Sequence, residues 1–439
     1  MTDRSNCVVR AGLAVAVTAG VTLAGVTPAA AADPAEPVIV RLEAGTDPDG
    51  AAREAAARGA RIRFVYHDVF PGYAAVLPPG GLRGVEGGPG VVGVDPDVPV
   101  RVRTHVSGAA QATWGLDRID QRALPLSGTY TPPADDEAGA GVTAYVIDSG
   151  IAPGHRDLGG RVRAGFTSID DGRGTKDCAG HGTHVAGTIG GAAFGVAPAV
   201  ALVAVRTLDC EGSGETSGVI AGIDWAARDH RAGTPAVANL SLSGPASGSV
   251  DAAIRGLIDD GVSVTVAAGN EDEDACESSP AREPAALTVA ASGRDDKRAS
   301  FSNRGSCVDL FAPGVDIVSD WHTGDTATEE LSGTSMASPH VAGAAALLLG
   351  DDPALTPAQV ARRLVDGATT GAVRSRRDTA DRLLYVGSGA GTDPRPTPAP
   401  VIVSPRPSPS PSPLSSPSRS AGPGSTPAAV TVTGPSAPA

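Results

Sequence analysis

Five short runs of the chain, at 142–147, 200–205, 237–242, 262–267 and 286–290, are apolar or small at nearly every position. Helix-like segments at 181–189, 217–229, 249–259 and 335–349 alternate with them or follow them. A strand with one face in water alternates polar with apolar residues, so runs of this kind must be covered on both faces. Joined through helices, such strands form a parallel sheet flanked by helices on both faces, an α/β fold. In an open sheet of that class, strand ends and helix starts meet along one edge and leave a crevice there. The pattern holds from about Trp114 to Tyr385.

What precedes and follows is different material. Arg4 and Arg10, an uncharged apolar stretch at 11–26 and small residues at 29–32 have the layout of an export signal. Residues 1–32 are therefore expected to be removed on secretion; the apolar stretch falls short of the about 20 residues a spanning helix needs. Residues 33–105 read as a small α+β domain, with strand-like runs at 38–42 and 72–77, an Ala-rich helix at 49–58 and a short run at 91–94. A domain of roughly 70 residues without cysteines is marginal alone and is expected to lean on something larger. The large α/β domain is expected over 106–387. From residue 388 the chain turns to Pro and Ser, with fourteen of its 37 prolines beyond residue 390. Such a stretch buries no core and reads as a disordered, polyproline-rich spacer over 388–439.

Composition excludes some functions. The formal charge of −14 speaks against a nucleic-acid binder, which needs a basic face. No membrane anchor is expected, since the apolar run at 341–349 is only a buried helix. Once Cys7 leaves with the signal, Cys178, Cys210, Cys276 and Cys307 remain. An even number in an oxidising compartment predicts two disulfides, with three pairings open; pairing neighbours closes two loops of similar length. No two of the four have the close C-x-x-C spacing of a zinc site.

Four segments bring reactive groups to the crevice edge. The run VTAYVIDSG at 142–150 is an apolar strand ending in Asp148. GHGTHVAG at 180–187 puts His181 at a helix start, and GTSMASPHVAG at 333–343 does the same for Ser335. A serine hydroxyl is a weak nucleophile at neutral pH unless a neutral imidazole takes its proton. A carboxylate then holds the imidazole in one tautomer and stabilises the imidazolium. The run VSVTVAAGN at 262–270 delivers the Asn270 amide, which with the Ser335 N–H would bind the oxyanion of a tetrahedral intermediate. Alone, Asp148 has a duller reading as a turn carboxylate, Ser335 as a packed serine and His181 with His184 as a metal pair; together, in this order, the four segments do not. His181 and His184 lack the nearby Glu of a zinc peptidase, and Ser335 is not in the G-x-S-x-G setting of lipases and esterases. The rival readings are an inactive binding protein on the same scaffold, and an esterase or peptide ligase using the same groups.

The order Asp, His, Asn, Ser and the motifs around it resemble the subtilisin-like serine peptidases, specifically the proteinase K and aqualysin branch, over 114–385. The resemblance implies a secreted, monomeric serine endopeptidase of broad specificity acting on unfolded polypeptides. Residues 33–105 would be its inhibitory propeptide, cut away between Arg103 and Ala112. It further implies two strand edges, Gly212, Ser213 and Gly214 opposite Ser241, Leu242, Ser243 and Gly244, that sandwich an extended peptide. Ala267, Ala268 and Gly269 would leave a slot for an apolar residue before the cut. The disulfides of the aqualysin-like pattern join Cys178 to Cys210 and Cys276 to Cys307. Structural calcium is implied at Pro284, Ala286 and Asp309 and, more loosely, at Asp117, Asp120 and Gln121, where Ala123 replaces an expected Asp. Two more departures stand out. Ser243 takes the place of a Gly at the pocket mouth and would narrow it. The run EDED at 271–274, directly after Asn270, reads as a solvated loop; the sharper reading is that it draws cationic side chains toward the pocket. A glycosylation sequon at Asn239 fits poorly, because its strand should be buried.

Overall fold

The structure, a computed structural model, describes residues 35–106, 114–131 and 137–387. The export signal with Cys7, most of the expected junction and the Pro/Ser-rich tail lie outside the described residues.

The leader, residues 33–105, folds into β1 (Glu36–Leu42), α1 (Pro48–Ala57), β2 (Arg61–Tyr66), β3 (Gly72–Leu77), α2 (Leu82–Glu86) and β4 (Val91–Pro96), followed by an extended segment. Its sheet has the order β2-β3-β1-β4. Asp47 caps α1 by accepting the Asp49 N–H, and Pro48 takes a first-turn position where its missing donor is harmless. Strand period then divides β1: Val38, Val40 and Leu42 fill the leader's own small core, while Ile39 turns outward into the core of the large domain. Tyr66, Val69 and Ala74 join it there, so the leader does lean on a larger body.

The chain continues through β5 (Pro99–Arg101) and β6 (His105–Val106) to α3 (Trp114–Ile119), β7 (Thr143–Asp148), β8 (Val162–Thr167), α4 (His181–Gly190) and β9 (Ala201–Arg206). Next come β10 (Ser213–Glu215), α5 (Thr216–Asp229), β11 (Ala236–Leu240), β12 (Gly244–Pro245), α6 (Gly248–Asp259) and β13 (Ser263–Ala267). The rest is β14 (Ser278–Ser279), β15 (Leu287–Ser292), β16 (Leu310–Pro313), β17 (Ile317–Asp320), β18 (Thr328–Ser332), α7 (Thr334–Asp351) and α8 (Pro357–Gly367). Seven strands form one sheet in the order β16-β15-β13-β11-β7-β9-β8, every neighbouring pair parallel. Both faces are covered, as the apolar runs require. On β7, Ala144 and Val146 enter the core formed with α4 and α7, while Tyr145 and Ile147 enter the one formed with α5 and α6.

Several strands were not legible in the sequence, among them β2, β8, β16, β17 and β18. The run of β8, VRAGFT, carries Arg163 and Gly165 because it is a partly exposed edge strand. The helix α7 is apolar all round because it is buried all round. Pro339 inside it cannot donate to the Ser335 carbonyl, and the Ser241 hydroxyl donates to that oxygen instead at 2.8 Å. Disulfides join Cys178 to Cys210 and Cys276 to Cys307. Among the described residues no helix is long and apolar enough to cross a membrane.

Candidate active site

Asp148 closes the central strand β7 and is fully buried, and His181 opens α4. Their approach depends on two glycines. Gly180 caps α4 with φ 95°, a left-handed conformation, and a Cβ on Gly182 would lie 2.1 Å from the Gly150 carbonyl. With that space left empty, His181 Nδ1 lies 2.7 and 2.9 Å from the two Asp148 oxygens. A carboxylate there fixes the tautomer, with the proton on Nδ1 and the lone pair on Nε2. Nε2 is buried and has no partner. His184, one turn on, is a core residue: its Nε2 bonds the Ile317 carbonyl at 3.0 Å and burial pushes its pKa down to about 3.

Ser335 lies in the first turn of α7, 2% exposed. Its hydroxyl donates to the Ser241 carbonyl at 3.1 Å and makes no hydrogen bond to His181. Imidazole and hydroxyl are therefore not joined by a hydrogen bond in this state. The physical reason is competition: a hydroxyl rotates about a single bond, and the strand carbonyl is the acceptor it finds. Catalytic hydrogen bonds commonly close only around a reacting substrate.

Asn270 follows β13 on the same edge. Its Oδ1 accepts the Thr334 N–H at 2.8 Å and the Thr334 hydroxyl at 2.9 Å, which leaves Nδ2 facing the cleft. There it donates to the Arg103 carbonyl at 2.6 Å. Thr334 and Asn303 are positioning residues that sequence reasoning missed. Thr334 also accepts the Gly269 N–H, and Asn303 Oδ1 accepts the N–H groups of Glu271 and Glu273. The GTS motif contained Thr334 but not its role, and Asn303 carried no local signal.

An extended segment of the leader runs through the cleft. β5 pairs antiparallel with β10, Arg101 opposite Ser213 and Val100 opposite Gly214. The Val102 N–H donates to the Gly212 carbonyl at 3.0 Å, and the Arg101 N–H to the Ser243 carbonyl at 3.4 Å. Past Arg103, β6 pairs with β18. Gly214 lets β10 lie against the chain leaving β9, since a Cβ there would lie 2.3 Å from the Thr207 carbonyl. Beside Arg103 is a cavity of about 440 Å³ whose wall includes Leu242, Ser243, Gly244, Ala267 and Gly269, while Ala268 is buried in a core behind it. The mouth is not apolar, because Glu271, Glu273, Asp274 and Glu277 line it too.

The leader's grip is polar as well. Asp224 on α5 accepts the N–H groups of His67, Asp68 and Val69 at 3.0, 2.7 and 3.1 Å. Asp97 of the leader accepts the Ser217 N–H at 2.8 Å, capping α5 at its positive end. Asn239 is buried and bonded to Ser241, Ser338 and Thr265, which fits the rejection of a glycan there.

Candidate ligands for a cation are dispersed. Asp309 is brought beside the turn holding Pro284 and Ala286: its Oδ2 accepts the Thr288 N–H at 2.8 Å, and burial pushes its pKa up to about 6. Asp117 accepts both the N–H and hydroxyl of Ser127 and the Gly128 N–H. Asp120 accepts the Thr131 N–H, and Gln121 Oε1 accepts the Ser127 N–H. Among the described residues, the one tight cluster of acid, His or Cys ligand atoms is Asp171 with Cys178 and Cys210, whose sulfurs are joined in a disulfide.

The family model described as the subtilase family, peptidase S8, matches residues 139–388. The chain is 51% identical over 328 residues to the extracellular serine proteinase of a Thermus species, spanning 74% of this chain and 78% of that one. It is 47% identical over 328 residues to alkaline serine exoprotease A of Vibrio alginolyticus, spanning 74% of this chain and 60% of that one. A crystal structure of a cold-adapted subtilisin-like serine proteinase superposes with a TM-score of 0.60 at 51% identity, covering 63% of this chain and 99% of that one. Fold, family match and sequence identity agree: the chain belongs to the subtilase family and is a serine endopeptidase.

Proposed function

We propose that this chain is a secreted proenzyme whose Ser335 attacks peptide carbonyls, with His181 as general base, Asp148 orienting the ring and the Asn270 amide holding the oxyanion. In this reading Ser335 Oγ gives its proton to His181 Nε2 and bonds the carbonyl carbon. The imidazolium then protonates the leaving amine, and water releases the acyl group by the reverse sequence. The observation that carries the reading is the Arg103 carbonyl: it sits on Asn270 Nδ2, at the end of a segment paired like a substrate strand, beside Ser335. Residues 33–105 then act as an intramolecular inhibitor that must be cut and released, residues 1–32 direct export, and 388–439 form a tail. Backbone pairing along Gly212–Gly214 and Ser241–Gly244 gives breadth toward unfolded polypeptides.

Calcium is proposed as a structural ion held by the Pro284 and Ala286 carbonyls and the Asp309 carboxylate. The donors are hard oxygens, and a cation would favour the charged form that burial of Asp309 disfavours. Asp117, Asp120 and Gln121 gather their oxygens around the turn at 127–131 and are the looser candidates for a second ion, with Ala123 in place of a further carboxylate. The test is Ser335→Ala: the expected outcome is a precursor that neither matures nor digests casein. A variant that still does both refutes the assignment.

A further inference from the structure

We propose that the subsite for the residue before the cut selects arginine or lysine, and that Glu271 is its chief determinant, with Glu273 and Glu277 behind it. The inference rests on the roles just given to Asn270 and Ser335. Its register comes from the chain itself. With the Arg103 carbonyl on Asn270 Nδ2 and the Arg101 N–H on Ser243, Arg103 is the last residue before the bond presented to Ser335. That bond is Arg103–Thr104.

The side chains agree with that register. Arg103 Nε lies 3.6 Å from Glu271 Oε1. Glu271 is not a freely solvated acid: its other oxygen accepts the Asn270 N–H at 2.7 Å and Asn303 Nδ2 at 3.3 Å, so the carboxylate is tethered to the oxyanion residue. Its neighbour Asp272 faces elsewhere, paired with Arg298 at 2.8 Å, Arg377 at 3.4 Å and Arg304 at 3.6 Å. The acidic run is thus sorted, one carboxylate neutralised by the domain's own arginines and the others left at the cavity. The cavity wall carries no Lys, and its only Arg residues are Arg101 and Arg103 of the leader. Once the leader departs, nothing on that wall balances Glu271, Glu273, Asp274 and Glu277. The small Ala267 and Gly269 leave a long side chain room to reach them. A concave, single-signed site of this kind concentrates a cationic group, more strongly at low salt.

The test uses mature enzyme and three peptide anilides identical except for Arg, Gln or Phe before the cut. Because the pairs are partly solvent-exposed, kcat/KM for Arg is expected to exceed that for Gln by about 3–10-fold at low salt and to approach it at about 0.5 M salt. Combining E271Q, E273Q and E277Q should bring the Arg-to-Gln ratio close to one. Gln keeps the acceptor that the Asn270 N–H needs, and the Phe peptide, run in each preparation, reports the amount of working enzyme. Equal rates for Arg and Gln at low salt, or a ratio unmoved by salt and by the substitutions, overturns the proposal while leaving the triad standing. Hydrolysis of none of the three overturns both.

Discussion

Thr334→Val removes one hydroxyl without changing side-chain shape, and the structure makes its consequence specific. That buried hydroxyl donates to Asn270 Oδ1 at 2.9 Å and accepts the Gly269 N–H at 3.1 Å, while the Thr334 N–H holds Asn270 Oδ1 independently at 2.8 Å. Asn270 therefore loses one of two anchors. Loss of one neutral hydrogen bond, about 0.5–1.5 kcal/mol, corresponds to a fall in kcat of about 2–13-fold. This is far less than the roughly 100–1000-fold reported for removing the oxyanion-hole asparagine of a subtilisin, a figure taken over from that relative. Leaving the Gly269 N–H unsatisfied costs a further 1–3 kcal/mol or so of stability. Anilide hydrolysis should show the change in kcat rather than KM, Thr334→Ser should restore it, and Thr334→Val should cost nothing more in kcat when added to Asn270→Ala. Additive losses in the double variant, or an effect confined to KM, would refute the idea that Thr334 acts through the amide.

Other outcomes follow from buried charges. Burial pushes the pKa of Asp224 up where it grips the leader, and burial, with Asp97 beside it, does the same to Glu215. Asp97 belongs to the leader, so docking favours the protonated form of Glu215, and the cut leader should be held more tightly as pH falls through its raised value and released faster above it; Glu215→Gln should flatten that dependence in a dissociation assay. Asp320 is raised to about 8, first by burial and then by Asp157. An acid raised on folding destabilises the fold as pH climbs from its unfolded value, so the Tm of Asp320→Asn should gain on that of the parent between about pH 4 and 8. Chelation should lower Tm by roughly 5–10 °C, as expected for a site held near 100-fold saturation, and Asp309→Asn should abolish most of that shift.

The sheet was legible because its strands are covered on both sides, and the reactive residues because each ends or begins such an element. Other features left no local trace. Asp224 meets Val69 across 155 residues, and Asn303 shapes a loop 30 residues away; nothing in either neighbourhood announces the partner. The acidic loop shows the same limit. Its composition was plain, but only the fold separates Asp272, turned into an arginine cluster, from Glu271, turned toward the leader's Arg103.

Pro339 leaves the carbonyl of residue 335 without its helical donor. The acceptor it strands at residue 335 is taken by Ser241, and the Ser335 hydroxyl reaches back to the Ser241 carbonyl. The two serines are latched to each other twice, one on the ribbon that grips an incoming peptide and the other carrying the attacking oxygen. The hydroxyl latch holds with the leader's strand in the cleft and its Arg103 carbonyl on Asn270, so filling the cleft does not by itself turn that oxygen toward the imidazole. The other latch, from the Ser241 hydroxyl to the carbonyl of residue 335, exists because a single imino acid one turn further along the helix has no proton to give.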